Sequence, residues 1–139
     1  MPTTILIIDD DPLIRQVADL VLTQAGYTVI SASTGESGLQ MIDHVRAHLV
    51  LLDIQMPDMS GLAVLNMLRR HRHNKVPVMM LTAKGDIETV KAALSAGADG
   101  YMVKPFKADD LVRRVQAALR PPGEASTPPQ SAPDSFMLD

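Results

Sequence analysis

The sequence predicts an α/β fold: an open, doubly wound, five-stranded parallel sheet with five helices. Two observations carry this. Short apolar runs alternate five times with segments of helical spacing over the first 120 residues, with Gly and Pro punctuating the changes. Two of the runs, Ile5-Leu6-Ile7-Ile8 and Leu49-Val50-Leu51-Leu52, are apolar at every position, as strands buried on both faces are. A closed α/β barrel needs about eight such units. Five make an open sheet with helices on both faces.

Each element has a local reason. Strand one, residues 5–8, stops at Asp9-Asp10-Asp11. Pro12 behind an Asp cap opens helix one, apolar residues recur at Leu13, Val17, Leu20 and Val21, and Gly26 ends it. Strand two is read over 27–31 and helix two over 35–45, with Leu39 and Ile42 inward. Strand three, 49–52, ends on Asp53, and the segment 54–61 is a loop because it holds Pro57 and Gly61. Helix three covers about 62–71, strand four 76–81 ending near Thr82, and helix four about 86–96, closing at Gly97. Strand five, 100–103, ends at Lys104, and helix five runs over about 108–119.

Residues 1–120 are thus expected to form one domain. Residues 121–139 carry five prolines among Ser, Thr and Gln, the composition of a flexible tail or a linker. Phe136-Met137-Leu138 is a small apolar cluster near its end.

Composition narrows the function classes. The formal net charge is -3, so no basic field invites nucleic acid and no polybasic run invites a membrane. There is no Cys, which removes disulfides and thiolate metal sites. The first residues lack the pattern of a signal peptide, and no apolar stretch reaches the ~18 residues of a membrane span. The expectation is a cytoplasmic protein that contacts neither nucleic acid nor membrane through this domain.

The chemistry gathers at one edge. In open α/β sheets ligands bind outside the carboxyl ends of the strands. Asp9 and Asp10 follow strand one, Asp53 ends strand three, Thr82 ends strand four and Lys104 ends strand five. Three carboxylates held close repel one another unless a cation shares the site. With no His or Cys among them, a hard divalent ion such as Mg²⁺ suits the set. Lys104 adds a second positive charge, Thr82 a hydroxyl, and the backbone after it N–H donors. Such a set can hold a phosphoryl group, with one carboxylate as nucleophile.

Four pieces then make a specific resemblance: Ile8-Asp9-Asp10-Asp11, the stretch from Leu52-Asp53 through Pro57 to Gly61, Leu81-Thr82-Ala83, and Lys104-Pro105-Phe106. Over residues 4–120 the chain resembles the receiver domain of two-component response regulators. The resemblance implies a flavodoxin-like strand order 2-1-3-4-5. It implies that Asp53 accepts a phosphoryl group from a phosphohistidine of a sensor kinase or histidine phosphotransfer protein. It further implies Mg²⁺ bound directly by Asp10 and Asp53, by Asp9 through water, and by the Gln55 backbone carbonyl. Lys104 would pair with the phosphate, Thr82 would hydrogen-bond it, and the Ala83 N–H would assist. Lys104-Pro105 would be cis. Tyr101 matches an aromatic switch position that turns with Thr82 and reshapes the face of helix four, strand five and helix five, so controlling a downstream protein or attached effector. Gln55 and Lys84 stand where side chains tune access of water to the acyl phosphate.

Other readings are weaker. A haloacid-dehalogenase-like phosphatase uses the same aspartyl phosphate but places a second acid two residues after the nucleophile, where this chain has Gln55. A nucleotide or flavin binder would need a Gly-rich loop after strand one, where Asp9-Asp10-Asp11-Pro12 stands. A receiver serving only as an interaction module would have lost site residues that are intact here. The domain itself is not expected to turn over a separate substrate. Receivers that form homodimers through helix four, strand five and helix five usually carry a second acid after Gly-Ala-Asp. Here Gly100 follows Gly97-Ala98-Asp99, leaving Asp110 and Arg114 for cross-subunit ion pairs. Met56 and Met59 are candidates for an exposed partner contact beside Asp53. His71, with Arg69, Arg70 and Arg72, reads as a solvated basic end of helix three. His44 and His48 are four apart, but helix two ends between them, which argues against a metal pair.

Overall fold

A computed structural model describes residues 3–83 and 86–120. Lys84, the tail 121–139 and its Phe136-Met137-Leu138 cluster lie outside the described residues.

Five parallel strands, β1 (Thr4–Ile8), β2 (Thr28–Ala32), β3 (Leu49–Asp53), β4 (Val78–Ala83) and β5 (Gly100–Lys104), form one sheet in the order β2-β1-β3-β4-β5. This is the open doubly wound arrangement with the expected strand order. The helices are α1 (Pro12–Gln24), α2 (Gly35–His44), α3 (Gly61–Asn66), α4 (Ile87–Ser95) and α5 (Ala108–Leu119). Three begin at side-chain caps: Asp11 accepts the Leu13 N–H, Thr34 the Ser37 N–H and Ser60 the Ala63 N–H.

The period-2 pleat sends alternate residues to opposite faces. Leu6, Ile8, Leu52 and Met80 pack under α2, α3 and α4, against Leu39, Leu65 and Val90. Ile5, Ile7, Leu51 and Leu81 pack under α1 and α5, against Leu22, Leu111 and Val115. β1 from Ile5 onward and all of β3 are buried. Each fully buried Leu or Ile contributes about 1.5–3 kcal/mol relative to exposure. The acidic cluster therefore sits at the ends of two well-anchored strands.

Local differences from expectation have physical causes. β4 starts at Val78 rather than 76, because the Val76 N–H goes to Asn74 Oδ1 and its carbonyl to Arg69 Nη1. The last turn of the third helical segment, Met67–His71, widens into a π turn, with the Arg72 N–H bonded to the Met67 carbonyl. Helix one buries Ala18 and Leu22, while Leu13 (62% exposed) and Leu20 (61%) face solvent. Its apolar residues thus occupy two faces, and only one meets the sheet. No helix among the described residues is long and apolar enough to cross a membrane.

Candidate functional site

Strand register builds the site. Ile8 pairs with Leu52, so Asp9 and Asp53, the next residues of adjacent strands, emerge side by side. Asp53 pairs with Leu81, which puts Thr82 one step beyond, and Ala83 pairs with Lys104. The expected residues of four strand ends are thereby brought to one edge.

Asp9, Asp10 and Asp53 each offer a carboxylate oxygen within 4.8 Å of the others. Asp9 is fully buried, Asp53 is 4% exposed, and Asp10 is exposed. Lys104 Nζ lies 2.9 Å from Asp9 Oδ2 and 3.2 Å from Asp53 Oδ1. Asp9 Oδ1 accepts the Asp11 N–H at 2.9 Å, and Asp53 Oδ1 accepts the Gln55 N–H at 3.3 Å. Asp9 Oδ2, although close to Lys104, has no well-aligned hydrogen bond. A buried carboxylate oxygen in that state is incompletely compensated. Among the described residues one ammonium faces three carboxylates, so the donor set fits a hard divalent cation such as Mg²⁺.

Electrostatics agree with the geometry. Burial, and then the charge of Asp9, push the Asp53 carboxyl up to about 7, with Lys104 opposing. For Lys104, burial works to lower the pKa, but the hydrogen bond and charge of Asp9, followed by those of Asp53, outweigh it and leave it raised. Asp53 is poised between neutral and charged, and a cation beside it would favour the charged, nucleophilic form.

Thr82 is buried, and its hydroxyl donates to the Ala83 carbonyl at 3.2 Å. Ala83 itself is exposed. The Lys104-Pro105 bond is cis, as expected. Tyr101 is half-buried against the α2–α3–α4 side of the core, and its carbonyl accepts from Arg114 Nη1 at 2.8 Å. Gln55 is exposed beside the cluster.

Several expectations are corrected. Met56 is buried and Met59 half-buried against the core, so neither is an exposed contact. The basic end of helix three is largely consumed. Arg69 donates to the carbonyls of Asn74, Val76 and Gly97 and to Asp99, while Arg72 grips both oxygens of Asp43. His48 Nδ1 accepts the Thr4 N–H and His44 Nδ1 meets the Gln40 carbonyl, so each ring has a backbone partner.

Three contributors were not foreseen. Gly61 packs so closely behind Asp53 that an added Cβ would lie 2.2 Å from the Asp53 carbonyl oxygen and 2.9 Å from Ile54 Cα. Its place in the matched stretch was the only sequence signal. Arg15 Nη1 donates to the Asp9 carbonyl at 2.6 Å, tying α1 to the acidic loop. Arg69 braces the loops before β4 and β5. No local pattern marks either arginine, since most of their partners are backbone carbonyls.

Comparison with known proteins is consistent across sequence and structure. Residues 5–116 match the response regulator receiver domain. The chain is 38% identical over 122 residues to the probable transcriptional regulatory protein TcrX of Mycobacterium tuberculosis, covering 88% of this chain and 52% of that protein. It is 41% identical over 120 residues to the DNA-binding response regulator MtrA of Mycolicibacterium smegmatis, covering 86% and 52%. The chain therefore spans about half the length of these curated relatives. Among solved structures, a CheY-like receiver domain protein from Methanospirillum hungatei superposes with a TM-score of 0.80 at 34% identity, covering 86% of this chain and 94% of that one. The chemotaxis protein CheY4 of Vibrio cholerae superposes with a TM-score of 0.81 at 31% identity, covering 86% and 100%.

Proposed function

The chain belongs to the response regulator receiver domain family of two-component systems, and from that premise we propose that it is a switch thrown by phosphorylation of Asp53. The observation that carries this is the Asp9, Asp10, Asp53 cluster closed on one side by Lys104. Asp10, Asp53 and the Gln55 carbonyl would hold Mg²⁺, with Asp9 acting through water. The ion would neutralise phosphoryl oxygens as the bond to Asp53 forms.

The chain's own residues divide the remaining work. A carboxylate oxygen of Asp53 attacks phosphorus, and the bond from phosphorus to the donor breaks in line. Lys104 Nζ, already 3.2 Å from Asp53 Oδ1, balances the charge of the acyl phosphate. The Thr82 hydroxyl leaves its bond to the Ala83 carbonyl to meet a phosphoryl oxygen, and the Ala83 N–H adds a second donor. Movement of Thr82 frees space for the half-buried Tyr101 ring, and the surface of α4, β5 and α5 changes with it.

The phosphodonor is a histidine kinase or a histidine phosphotransfer protein, and the output is a partner or an attached effector domain. The relative MtrA is a DNA-binding response regulator, and the matched stretch makes up 52% of its length, so the expectation of no nucleic-acid contact is confined to this domain. The test is exposure to acetyl phosphate and Mg²⁺, read by intact mass. Wild type gains one phosphoryl group and chelation of Mg²⁺ prevents it. Equal labelling of Asp53→Asn would overturn the proposal.

A further inference from the structure

At the end of the sheet opposite the acidic cluster, the segments entering β3 and β4 enclose an open cavity of about 450 Å³. That size is within the range of small-ligand pockets, about 300–1,000 Å³. Ile42, Val45 and Val76 form apolar wall, and Val45 is 37% exposed. The polar lining groups are Arg46, His48 and Asn74, and among the described residues no acid lines the cavity.

Each of these polar groups presents a donor. His48 Nδ1 accepts the Thr4 N–H at 3.0 Å, which assigns the ring proton to Nε2 and makes that nitrogen a donor. Asn74 Oδ1 is occupied by the Val76 N–H at 2.9 Å, so its amide N–H groups remain. Arg46 makes no ion pair among the described residues, whereas Arg69 and Arg72 are each committed to acids. Three donors, one of them cationic and none opposed by a lining carboxylate, complement an anion. This occurs in a chain whose net charge is -3, so it is a local feature and not a consequence of composition. The adjoining apolar wall complements a hydrocarbon body.

We propose that this cavity binds a small amphipathic carboxylate. The carboxylate head meets Arg46, the His48 Nε2–H and the Asn74 amide, and the chain lies along Ile42, Val45 and Val76. The site is independent of the phosphorylation chemistry and stands whether or not Asp53 is phosphorylated.

Octanoate is the probe, followed by backbone amide NMR shifts of the full chain, with acetate as a head-only control and 1-octanol as a body-only control. Octanoate is expected to give saturable shifts confined to residues 45–48 and 74–76. Its affinity should exceed that of either control by about tenfold or more. Arg46→Ala, at an exposed position, should weaken octanoate about tenfold and leave the rest of the spectrum unchanged. The proposal is overturned if octanoate gives no saturable shifts, if octanol binds equally well, if Arg46→Ala binds unchanged, or if the shifts map to another surface.

Discussion

Replacing Asp53 with Asn removes a charge that the site, without a cation, holds at a disadvantage. Burial first, then the charge of Asp9, raise the Asp53 carboxyl from 3.8 to about 7. A carboxyl whose folded pKa lies above its unfolded value binds more protons in the folded state. Its stabilising contribution is complete below the unfolded pKa and is lost as pH rises through the folded one. Without divalent cation, the wild type should therefore weaken relative to Asp53→Asn between about pH 4 and about pH 7. A rise of roughly three pH units at about 1.36 kcal/mol each sets a ceiling of about 4 kcal/mol. Solvent reaching the site past exposed Asp10 lowers the expected gap to about 1–3 kcal/mol. Asn keeps an oxygen for the Lys104 ammonium and the Gln55 N–H, so the contacts at Oδ1 survive the change. Urea unfolding in chelator, from about pH 4.5 to about pH 8.5, reads the gap directly. The variant should gain on the wild type through this range and level off above about pH 7.5. Parallel curves would refute the reasoning, because they would mean that Asp53 carries no raised pKa in the folded domain.

Further outcomes follow from the same contacts. Gly61→Ala sets a Cβ 2.2 Å from the Asp53 carbonyl oxygen, a backbone atom that cannot swing aside, and should destabilise by about 2–4 kcal/mol and slow phosphorylation, as urea unfolding and labelling would show. Asp10→Ala should weaken Mg²⁺ at least about tenfold in titration calorimetry without destabilising the cation-free domain, since Asp10 is exposed beside two like charges. Arg69→Ala leaves the Asn74, Val76 and Gly97 carbonyls without their donor and should lower the urea midpoint by the equivalent of about 2–3 kcal/mol.

The sequence spoke most clearly where a residue's neighbours in the chain decide its state. Asp11 and Pro12 predict the start of α1, which begins there with Asp11 capping Leu13. The unbroken apolar runs of β1 and β3 predict two-sided burial, and their ends place Asp9 and Asp53 next to each other. What was less legible depends on distant partners. Leu13, Val17 and Leu20 repeat as a core stripe would, yet the sheet meets the Ala18–Leu22 face instead. Met56 and Met59 fall beside Asp53 in sequence, but the loop turns them into the core. Arg69 resembles a solvated helix end until the carbonyls of two other loops are seen around it. A guanidinium bound to backbone leaves no complementary residue type to be read.

The central claim is that Asp53, among three adjacent carboxylates, is the one that forms the acyl phosphate. Borohydride reduces an aspartyl phosphate to homoserine and so marks the residue that carried it. The domain treated with acetyl phosphate and Mg²⁺, then reduced, digested and sequenced by mass, should show the conversion at Asp53 alone. Conversion at Asp9 or Asp10, or none at any of the three, would contradict the account.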